Sequence, residues 1–246
     1  MLLILMLSGG VAGSQGQVPN LSARDADLIK DLVVRGSKEE SVARRIDAIS
    51  EAFLGRRYRT RPLIGSPRVP EVLTLALEGF DCVTFVETVL ALATIQTPEE
   101  FGRQLASIRY RGSQVDWNSR LHYATVWSSY QVARGVLTRP DLRSEITHRS
   151  KLLYRVKGLD PVKADYSYYP KRLFGQIAPS LQSGDIIFFV SGTNGLDTNH
   201  TGFVIRRQDQ LLLRSASRSQ RGVSDQPLGE YIRRNGLSGF FVNRAT

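Results

Sequence analysis

The hydrophobic pattern changes along this chain, and the change limits the fold more than any other feature. Up to Ala133 apolar residues recur at helical spacing, whereas after Ser183 they form short unbroken runs between turn signals, as strands do. The four runs are IIFFV after Asp185, TGFVI after His200, LLLRSAS after Gln210 and FFVN after Gly239. Helices first and strands second predict an α+β fold, in which helices cover one face of an antiparallel sheet.

Local signals place the individual helices. The first predicted helix is introduced by a capping box at Ser37 and Glu40 and reaches Gly55. The second is capped by Asp81, and the third starts at Thr97 with Glu100 in its capping box. The fourth runs from Leu121 to Ala133. Tyr166, Tyr168 and Tyr169, which precede Pro170, are predicted to lie in an ordered loop between the two halves.

The N-terminus suggests export. Residues 1–17 have an apolar stretch followed by small residues, without the usual basic start, and are predicted to be a truncated signal peptide. Residues 18–246 then form one catalytic domain, because neither a linker nor a repeat divides them. No later segment is expected to cross a membrane, and the predicted location is periplasmic or secreted. The alternative is a frayed apolar N-terminus of a cytosolic protein.

The charge indicates a class of partner. Lys and Arg number 33 against 23 Asp and Glu, which gives a formal net charge of +10 and favours an anionic polymer or surface. The basic residues are scattered, so an ordinary solvated surface explains them equally well. No nucleic-acid motif, phosphate loop or dinucleotide fingerprint is present, and we predict neither a nucleic-acid partner nor a cofactor.

Cys82 is the only cysteine and therefore cannot form an internal disulfide. If Asp81 caps the helix, the thiol occupies its first turn, where free N–H groups and the helix dipole are expected to lower its pKa. The same N–H groups could donate to an oxyanion when the sulfur attacks a carbonyl. The alternative interpretation is a small, buried and inert residue.

A thiolate mechanism needs a base, and the chain has three histidines. His200 begins a strand after the turn-rich GTNGLDTN and is the predicted base. His122 is expected within the fourth helix, as a structural residue or a substrate contact, and His148 is expected at the surface. One cysteine and three separated histidines give no metal-ligand spacing, so no metal is predicted.

These residues also carry a family resemblance. GFDCVTFVE, SGDIIFFV, NHTGFVI and LLLRSAS, in this order, resemble the NlpC-type branch of papain-fold cysteine hydrolases, which cut peptidoglycan. FLGRRY, SRLHYATVW and LDTNHTGFVI are similar to the N-acetylmuramoyl-L-alanine amidase-like branch that acts on anhydro-muramyl ends. The resemblance covers the chain from about Ala43 to the C-terminus and implies a papain-like fold.

The resemblance implies roles for individual residues. Cys82 would be the nucleophile and His200 the base, and Tyr58 matches a tyrosine that precedes the nucleophile. Relatives often have a histidine in the triplet where this chain has Ser215-Ala216-Ser217. Ser215 is thus the candidate for orienting His200, with Arg214 as the alternative if the strand register slips by one. The candidate substrate contacts are Tyr58, Asp81, Arg120, His122, Asp197 and Asn199, although helix capping also explains Asp81 and turn chemistry also explains Asp197 and Asn199.

The predicted activity is therefore a peptidoglycan amidase that acts on muropeptides by a Cys-His mechanism. It would cut the amide between N-acetylmuramic acid, most readily at anhydro ends, and L-alanine. One alternative is an endopeptidase that cuts within the stem peptide. The other is a non-catalytic basic module that binds an anionic wall polymer, with Cys82 buried.

Overall fold

Helices and strands cover most of the computed structural model, which describes residues 22–75 and 77–246. The predicted signal peptide, residues 1–17, lies outside the described residues. The helices are α1 (Ala23–Ser37), α2 (Val42–Glu51), α3 (Cys82–Ala93), α4 (Phe101–Arg109), α5 (Ala124–Ala133), α6 (Phe174–Ile177) and α7 (Leu228–Arg234). The strands are β1 (Arg57–Tyr58), β2 (Ile64–Ser66), β3 (Val69–Val72), β4 (Gly79–Phe80), β5 (Leu137–Thr138), β6 (Thr147–Leu153), β7 (Val162–Pro170), β8 (Ile186–Ser191), β9 (Thr198–Arg207), β10 (Gln210–Ser217), β11 (Gly222–Pro227) and β12 (Leu237–Ala245).

One large sheet organises the molecule. Its strands follow the order β4-β1-β11-β10-β9-β8-β12-β7-β6, β5 pairs with β12 outside this path, and β2 and β3 form a separate hairpin. The four strands predicted from the apolar runs are confirmed as β8, β9, β10 and β12, and they are neighbours in the sheet. The sheet is mixed rather than purely antiparallel, because β1 and β4 pair in parallel.

Apolar side chains are buried on both faces of the sheet. Helices α1 to α4 contribute to one core cluster with Phe203 and Ile205 of β9, whereas α6 and α7 contribute to a second cluster with Val204 of the same strand. The prediction that helices cover only one face was therefore wrong. All six residues of β8 are buried, as expected for a strand covered on both sides.

The helix predictions need three corrections at the N-terminal side. An additional helix, α1, precedes the first predicted one and ends at Ser37, whose hydroxyl donates to the carbonyl of Val34 at 3.0 Å. The capping box at Ser37 was therefore wrong. The cap of α2 is Ser41, whose hydroxyl accepts the N–H of Arg44 at 3.3 Å. The predicted start at Thr97 is confirmed, since the Glu100 carboxylate accepts the Thr97 N–H at 3.2 Å.

Two segments in the middle of the chain also differ from the prediction. Tyr166, Tyr168 and Tyr169 lie in strand β7, not in a loop, because β7 pairs with β6 up to Tyr168 and with β12 at Tyr169. The segment before Ala124 is not helical, since the Leu121 N–H donates to the carbonyl of Arg109 at 3.0 Å in an extended connection. His122 therefore lies in a loop, outside α5.

Helix α3 is the central helix of the fold. Ten of its residues, from Thr84 to Ala93, are buried, so it is apolar on nearly every side. Its one acidic residue, Glu87, is buried with Arg109 of α4 in an ion pair of 2.7 Å. The N-terminal end of α3 faces β9 and β10, and this contact brings Cys82 to the sheet.

Candidate active site

Cys82 is the first residue of α3, as the sequence predicts. Asp81 is the N-cap: its carboxylate accepts the N–H of Thr84 at 2.8 Å, and the Thr84 hydroxyl accepts the N–H of Asp81 at 3.1 Å. This reciprocal pair fixes the first turn and the direction of the Cys82 side chain. The thiol is half-buried, and the backbone N–H groups of Cys82, Val83 and Thr201 face its sulfur.

The thiol is nevertheless not acidic, which corrects the sequence prediction. Burial, together with the charge of the neighbouring Asp81 carboxylate, raises the pKa of Cys82 to about 12. The three N–H groups that face the sulfur lower the pKa, but by less than burial raises it. The thiol is therefore protonated at neutral pH in the resting site.

His200 lies on β9, beside Thr201, whose N–H faces the Cys82 sulfur. Its Nε2 is 2.9 Å from the hydroxyl of Ser215 on β10. In the β8–β9 ladder Phe189 faces His200, and the next residue, Val190, faces Thr198. Asn199 has no partner in β8 and is therefore the extra residue of a bulge. Bulges commonly redirect a side chain next to a functional site.

The strand register separates the two candidates for orienting His200. Ser215 is 0% exposed and bonds His200, whereas Arg214 extends to the opposite face of β10. There the Arg214 guanidinium pairs with Asp225 at 2.7 Å and with Asp47 of α2 at 3.2 Å. Arg214 is thus held in a buried ion pair, and Ser215 is the residue that contacts the imidazole.

Gly202 makes the contact between His200 and Ser215 sterically possible, and the sequence analysis missed it. A Cβ atom at Gly202 would stand 2.6 Å from the Arg214 carbonyl oxygen and 2.7 Å from the Ser215 Cβ. Any side chain here would push β10 away from β9 and carry the Ser215 hydroxyl with it. The sequence signal was the glycine inside the strand run TGFVI.

Two aromatic rings pack on the imidazole. Phe189 of β8 is stacked on His200 with ring centroids 6.2 Å apart, and Tyr231 of α7 lies 5.5 Å from it at a tilt of 35°. Burial lowers the pKa of His200 to about 4, so the imidazole is neutral at neutral pH. Tyr231 was not predicted, because it follows the catalytic motifs and has no motif of its own.

Tyr58 lies at the same site, on strand β1. Burial raises its pKa, and the charges of Cys82 and Asp81 contribute to the same shift. Strand β1 reaches this position because it pairs with β4, which leads directly into α3. The phenol is therefore protonated at neutral pH and able to donate a hydrogen bond.

Arg120 and His122 belong to a neighbouring cluster. The imidazole Nε2 is 2.7 Å from the Trp117 carbonyl oxygen and therefore carries the proton, while Arg120 Nε donates to Nδ1 at 3.4 Å. Arg120 also pairs with Glu71 at 2.8 Å and lies 4.4 Å from the Trp117 ring. Burial lowers the pKa of His122 to about 4.

This cluster borders the space around the thiol. Arg120 and His122 line a cavity of about 360 Å³ that also contains Arg111 and Asp160. His122 lines a second, narrow cavity of about 30 Å³ together with Val83 and Thr201, the chain neighbours of Cys82 and His200. Leu121 and His122 thus line both cavities.

Asp197, a predicted substrate contact, is buried and bonded within the protein. It is 1% exposed, and its carboxylate accepts the N–H and the hydroxyl of Thr125 in the first turn of α5, at 2.7 and 2.8 Å. Its other oxygen accepts the Thr198 N–H at 2.8 Å. The carboxylate therefore ties the loop before His200 to α5. Asn199 is exposed beside His200 and stays a predicted contact.

Two general features of the described residues bear on function. Within residues 22–75 and 77–246, no group of three or more His, Cys, Asp or Glu side chains is placed to hold a metal ion. No helix of this part of the chain is long and apolar enough to cross a membrane. His148 is exposed on strand β6, as predicted, and its Nδ1 lies 2.8 Å from the Ser167 hydroxyl.

Comparison with known structures identifies relatives of this fold. A protein of Legionella pneumophila has a TM-score of 0.78 at 22% identity, covering 90% of this chain and 94% of its own. An N-acetylmuramoyl-L-alanine amidase of Bacteroides uniformis has a TM-score of 0.68 at 25% identity, covering 89% and 99%. A Bacteroides fragilis structure, provisionally described as a xylanase, has a TM-score of 0.66 at 27% identity, covering 79% and 98%. No curated protein matches the sequence.

Fold and site together define the class of this protein: a mixed α+β amidase-like protein with a cysteine at a helix N-terminus and a histidine on the sheet that this helix packs against. The family model described as AmiA-like, N-acetylmuramoyl-L-alanine amidase-like, matches residues 48–239. The chain therefore belongs to the AmiA-like family. Membership in this family supports a peptidoglycan amidase in general terms. The matched range includes every residue of the candidate site.

Proposed function

We propose that this protein is a cysteine amidase that cuts the amide between the lactyl group of N-acetylmuramic acid and L-alanine, with a preference for anhydro-muramyl ends. One observation carries the proposal: the Cys82 thiol, fixed at the start of α3, faces the strand on which His200 bonds Ser215 at 2.9 Å. The family supports the bond, and the motifs resembling the anhydro-specific branch support the preference.

The protonation states of the two groups determine how the reaction starts. Both groups are neutral at rest, because burial disfavours the thiolate and the imidazolium separately. The proton therefore moves from the Cys82 sulfur to His200 as the sulfur attacks the lactyl carbonyl, rather than beforehand. With Nε2–H donating to Ser215, the Nδ1 lone pair is the acceptor for this proton.

The same histidine then completes the cycle. The imidazolium gives its proton to the departing amine of L-alanine, which leaves the lactyl group bound to Cys82 as a thioester. A water molecule, deprotonated by His200, hydrolyses the thioester and restores the thiol. Ser215 accepts from the imidazolium but adds no negative charge, so it orients the ring more than it stabilises the charge.

The developing oxyanion needs donors close to the sulfur. The N–H of Cys82 lies at the N-terminus of α3, where the helix dipole favours negative charge. The Tyr58 phenol stays protonated at neutral pH and is the second proposed donor. Asp81 contributes by holding the helix end in this position.

The cavity that contains Arg120 and His122 is the proposed site for part of the substrate beyond the scissile bond. Arg111 and Arg120 place two cations in a cavity of about 360 Å³, which suits the carboxylates of a stem peptide. Because His122 lines both this cavity and the smaller one beside Val83 and Thr201, we propose that it contacts the substrate between the two.

We further propose that residues 18–246 form a single papain-like domain and that it acts outside the cytoplasm. Peptidoglycan lies there, and the family supports this location. The net charge of +10 would hold the protein near the anionic wall.

Product analysis tests which bond is cut. The purified protein is incubated with anhydro-muramyl and reducing-end muropeptides of the same stem, and the products are identified by mass spectrometry. The proposal predicts an intact stem peptide that begins with L-alanine, released faster from the anhydro substrate. A shortened stem left on the sugar would instead identify an endopeptidase, and equal rates on both substrates would contradict the anhydro preference.

A further inference from the structure

Three aromatic rings meet at the base of the candidate site. Besides their contacts with His200, Phe189 and Tyr231 pack on each other with ring centroids 4.6 Å apart. The imidazole therefore has one ring from the sheet and one from a helix against it. The two contacts differ in origin, because Phe189 faces His200 directly in the β8–β9 ladder, whereas Tyr231 reaches it from a distant part of the sequence.

Helix α7 holds Tyr231 in place. Leu228 and Ile232 of this helix are buried in the same apolar cluster as Phe189, so α7 is anchored on that face of the sheet. Burial raises the pKa of Tyr231, and the charge of Cys82 contributes to the same shift. Tyr231 thus packs on the proposed base and responds to the charge of the proposed nucleophile.

We propose that Tyr231 is a positioning residue for His200: its ring keeps the imidazole aligned with Ser215 and excludes water from it. A histidine on a strand can rotate about its side-chain bonds, and the Ser215 hydrogen bond alone would compete with water for it. The ring of Tyr231 closes the side that β8 and β10 leave open. The kinetic part of this inference rests on the proposed amidase function, but the structural part does not.

A titration of His200 reports on this residue alone if none of the groups packed around it titrates in the same pH range. Helix α7 contributes the Tyr231 phenol, which is protonated at neutral pH, as is the Cys82 thiol at the start of α3. Strands β8 and β10 contribute Phe189 and Ser215, which do not titrate in this range. Burial alone accounts for the lowered pKa of His200, so removing the ring that shields it has a direct and measurable consequence.

The test follows the histidine ring protons by NMR between pH 3.5 and 8, which three histidines make simple to assign. In the wild type His200 titrates near 4, and in Tyr231→Ala its midpoint moves up toward 6.5, the ordinary value. Tyr231→Phe keeps the ring and titrates like the wild type. If Tyr231→Ala does not fold, Tyr231→Val makes the same test, since valine keeps part of the apolar volume of α7 but is too short to cover the imidazole.

A neighbouring residue provides the matched control. Ile232→Ala removes buried volume from the same helix without touching His200, so it lowers stability and leaves the His200 midpoint unchanged. On a muropeptide substrate, Tyr231→Ala lowers kcat by roughly tenfold with little change in KM, because alignment is lost rather than binding. The acid limb of kcat/KM moves with the NMR midpoint.

Each outcome has one meaning. An unchanged His200 midpoint in the folded Tyr231→Ala variant overturns the inference, as does an equal shift in Ile232→Ala. A wild type that cuts no muropeptide while Tyr231→Ala still shifts the midpoint contradicts the amidase function and leaves the positioning role standing.

Discussion

A single seryl hydroxyl orients the histidine of this site, where many related chemistries use a carboxylate. Ser215 bonds His200 without charge, and the imidazole is neutral before the reaction. Such a bond fixes the direction of the ring but stabilises an imidazolium only weakly. The loss of Ser215 should therefore impair the reaction moderately, whereas the loss of the thiol or of the imidazole should abolish it.

Replacing Ser215 tests this expectation. We expect Ser215→Ala to lower kcat by roughly tenfold, the equivalent of one neutral hydrogen bond of about 1.4 kcal/mol, with KM nearly unchanged. Steady-state kinetics on an anhydro-muropeptide measures both constants. Ser217→Ala is the matched control, because Ser217 is 6% exposed on the same strand and bonds Ser219 instead. Equal activity of Ser215→Ala and the control would remove Ser215 from the site.

At the scale of elements, the site depends on the start of α3, on strands β8 to β10 and on the loop before β9. The start of α3 is held by its own residues, Asp81 and Thr84. The loop before β9 is held by Asp197, whose carboxylate caps α5 from 72 positions away in the chain. These hydrogen bonds fix the loop before His200 against α5.

The substitution of Asp197 separates a structural role from substrate binding. Asp197→Ala leaves the buried N–H and hydroxyl of Thr125 without a partner, and we expect it to lower the free energy of unfolding by about 2–3 kcal/mol. Urea unfolding measures this change. Asn199→Ala, two residues away and exposed, is expected to change stability by less than about 0.5 kcal/mol. Comparable stabilities of the two variants would refute the capping role of Asp197.

Asp81 caps α3 and Asp197 caps α5, and the difference between these two caps explains what the sequence could and could not predict. The Asp81 cap was predicted because cap and helix are adjacent, and the strands β8, β9, β10 and β12 because their apolar runs are local patterns. The predicted start of α5 was wrong, because the residue that caps this helix comes from a distant segment of the chain. Strand β7 was missed because its sequence, VKADYSYYP, mixes polar and aromatic residues and gains its order from pairing with β6.

The same limit applies inside the site. Cys82 and His200 could be proposed from the sequence because each lies in a recognisable local setting, a helix start and a strand after a turn. Gly202 and Tyr231 were not, since their roles exist only where strands β9 and β10 and helix α7 come together. The pKa shift of the Cys82 thiol was predicted with the wrong sign, because the burial that raises the pKa is a property of the fold.

At the scale of the whole molecule, ion pairs join elements that are distant in sequence. Arg214 of β10 pairs with Asp47 of α2, and Arg244 of β12 pairs at 2.7 Å with Asp185, which precedes β8. Removing one partner of a buried ion pair destabilises the fold, because it leaves the other charge buried without compensation. Two histidines that burial keeps neutral, His122 and His200, make the stability of the fold dependent on pH.

The histidines give this dependence a definite sign. His122 and His200 have pKa values lowered to about 4 in the folded state, against an ordinary 6.5. The unfolded chain therefore binds more protons between these values, and stability falls as the pH drops from about 6.5 to 4. Each histidine contributes at most about 1.4 kcal/mol per pH unit.

A variant isolates one of these contributions. His122→Gln keeps a donor and an acceptor but cannot titrate, so its free energy of unfolding should fall less steeply than that of the wild type between pH 6.5 and 4. Urea titrations at several pH values give the two slopes, and carboxylates common to both proteins cancel in the difference. Identical slopes would show that His122 is not held neutral by burial.

The most direct test of the whole account is the cleavage of an anhydro-muropeptide by the wild type and by Cys82→Ala, with circular dichroism to show that both are folded. His148→Ala serves as the control, since His148 is exposed on β6. The account predicts that the wild type and the control release stem peptide while Cys82→Ala is slower by a factor of about 1,000 or more. Cleavage by Cys82→Ala at the wild-type rate would contradict it.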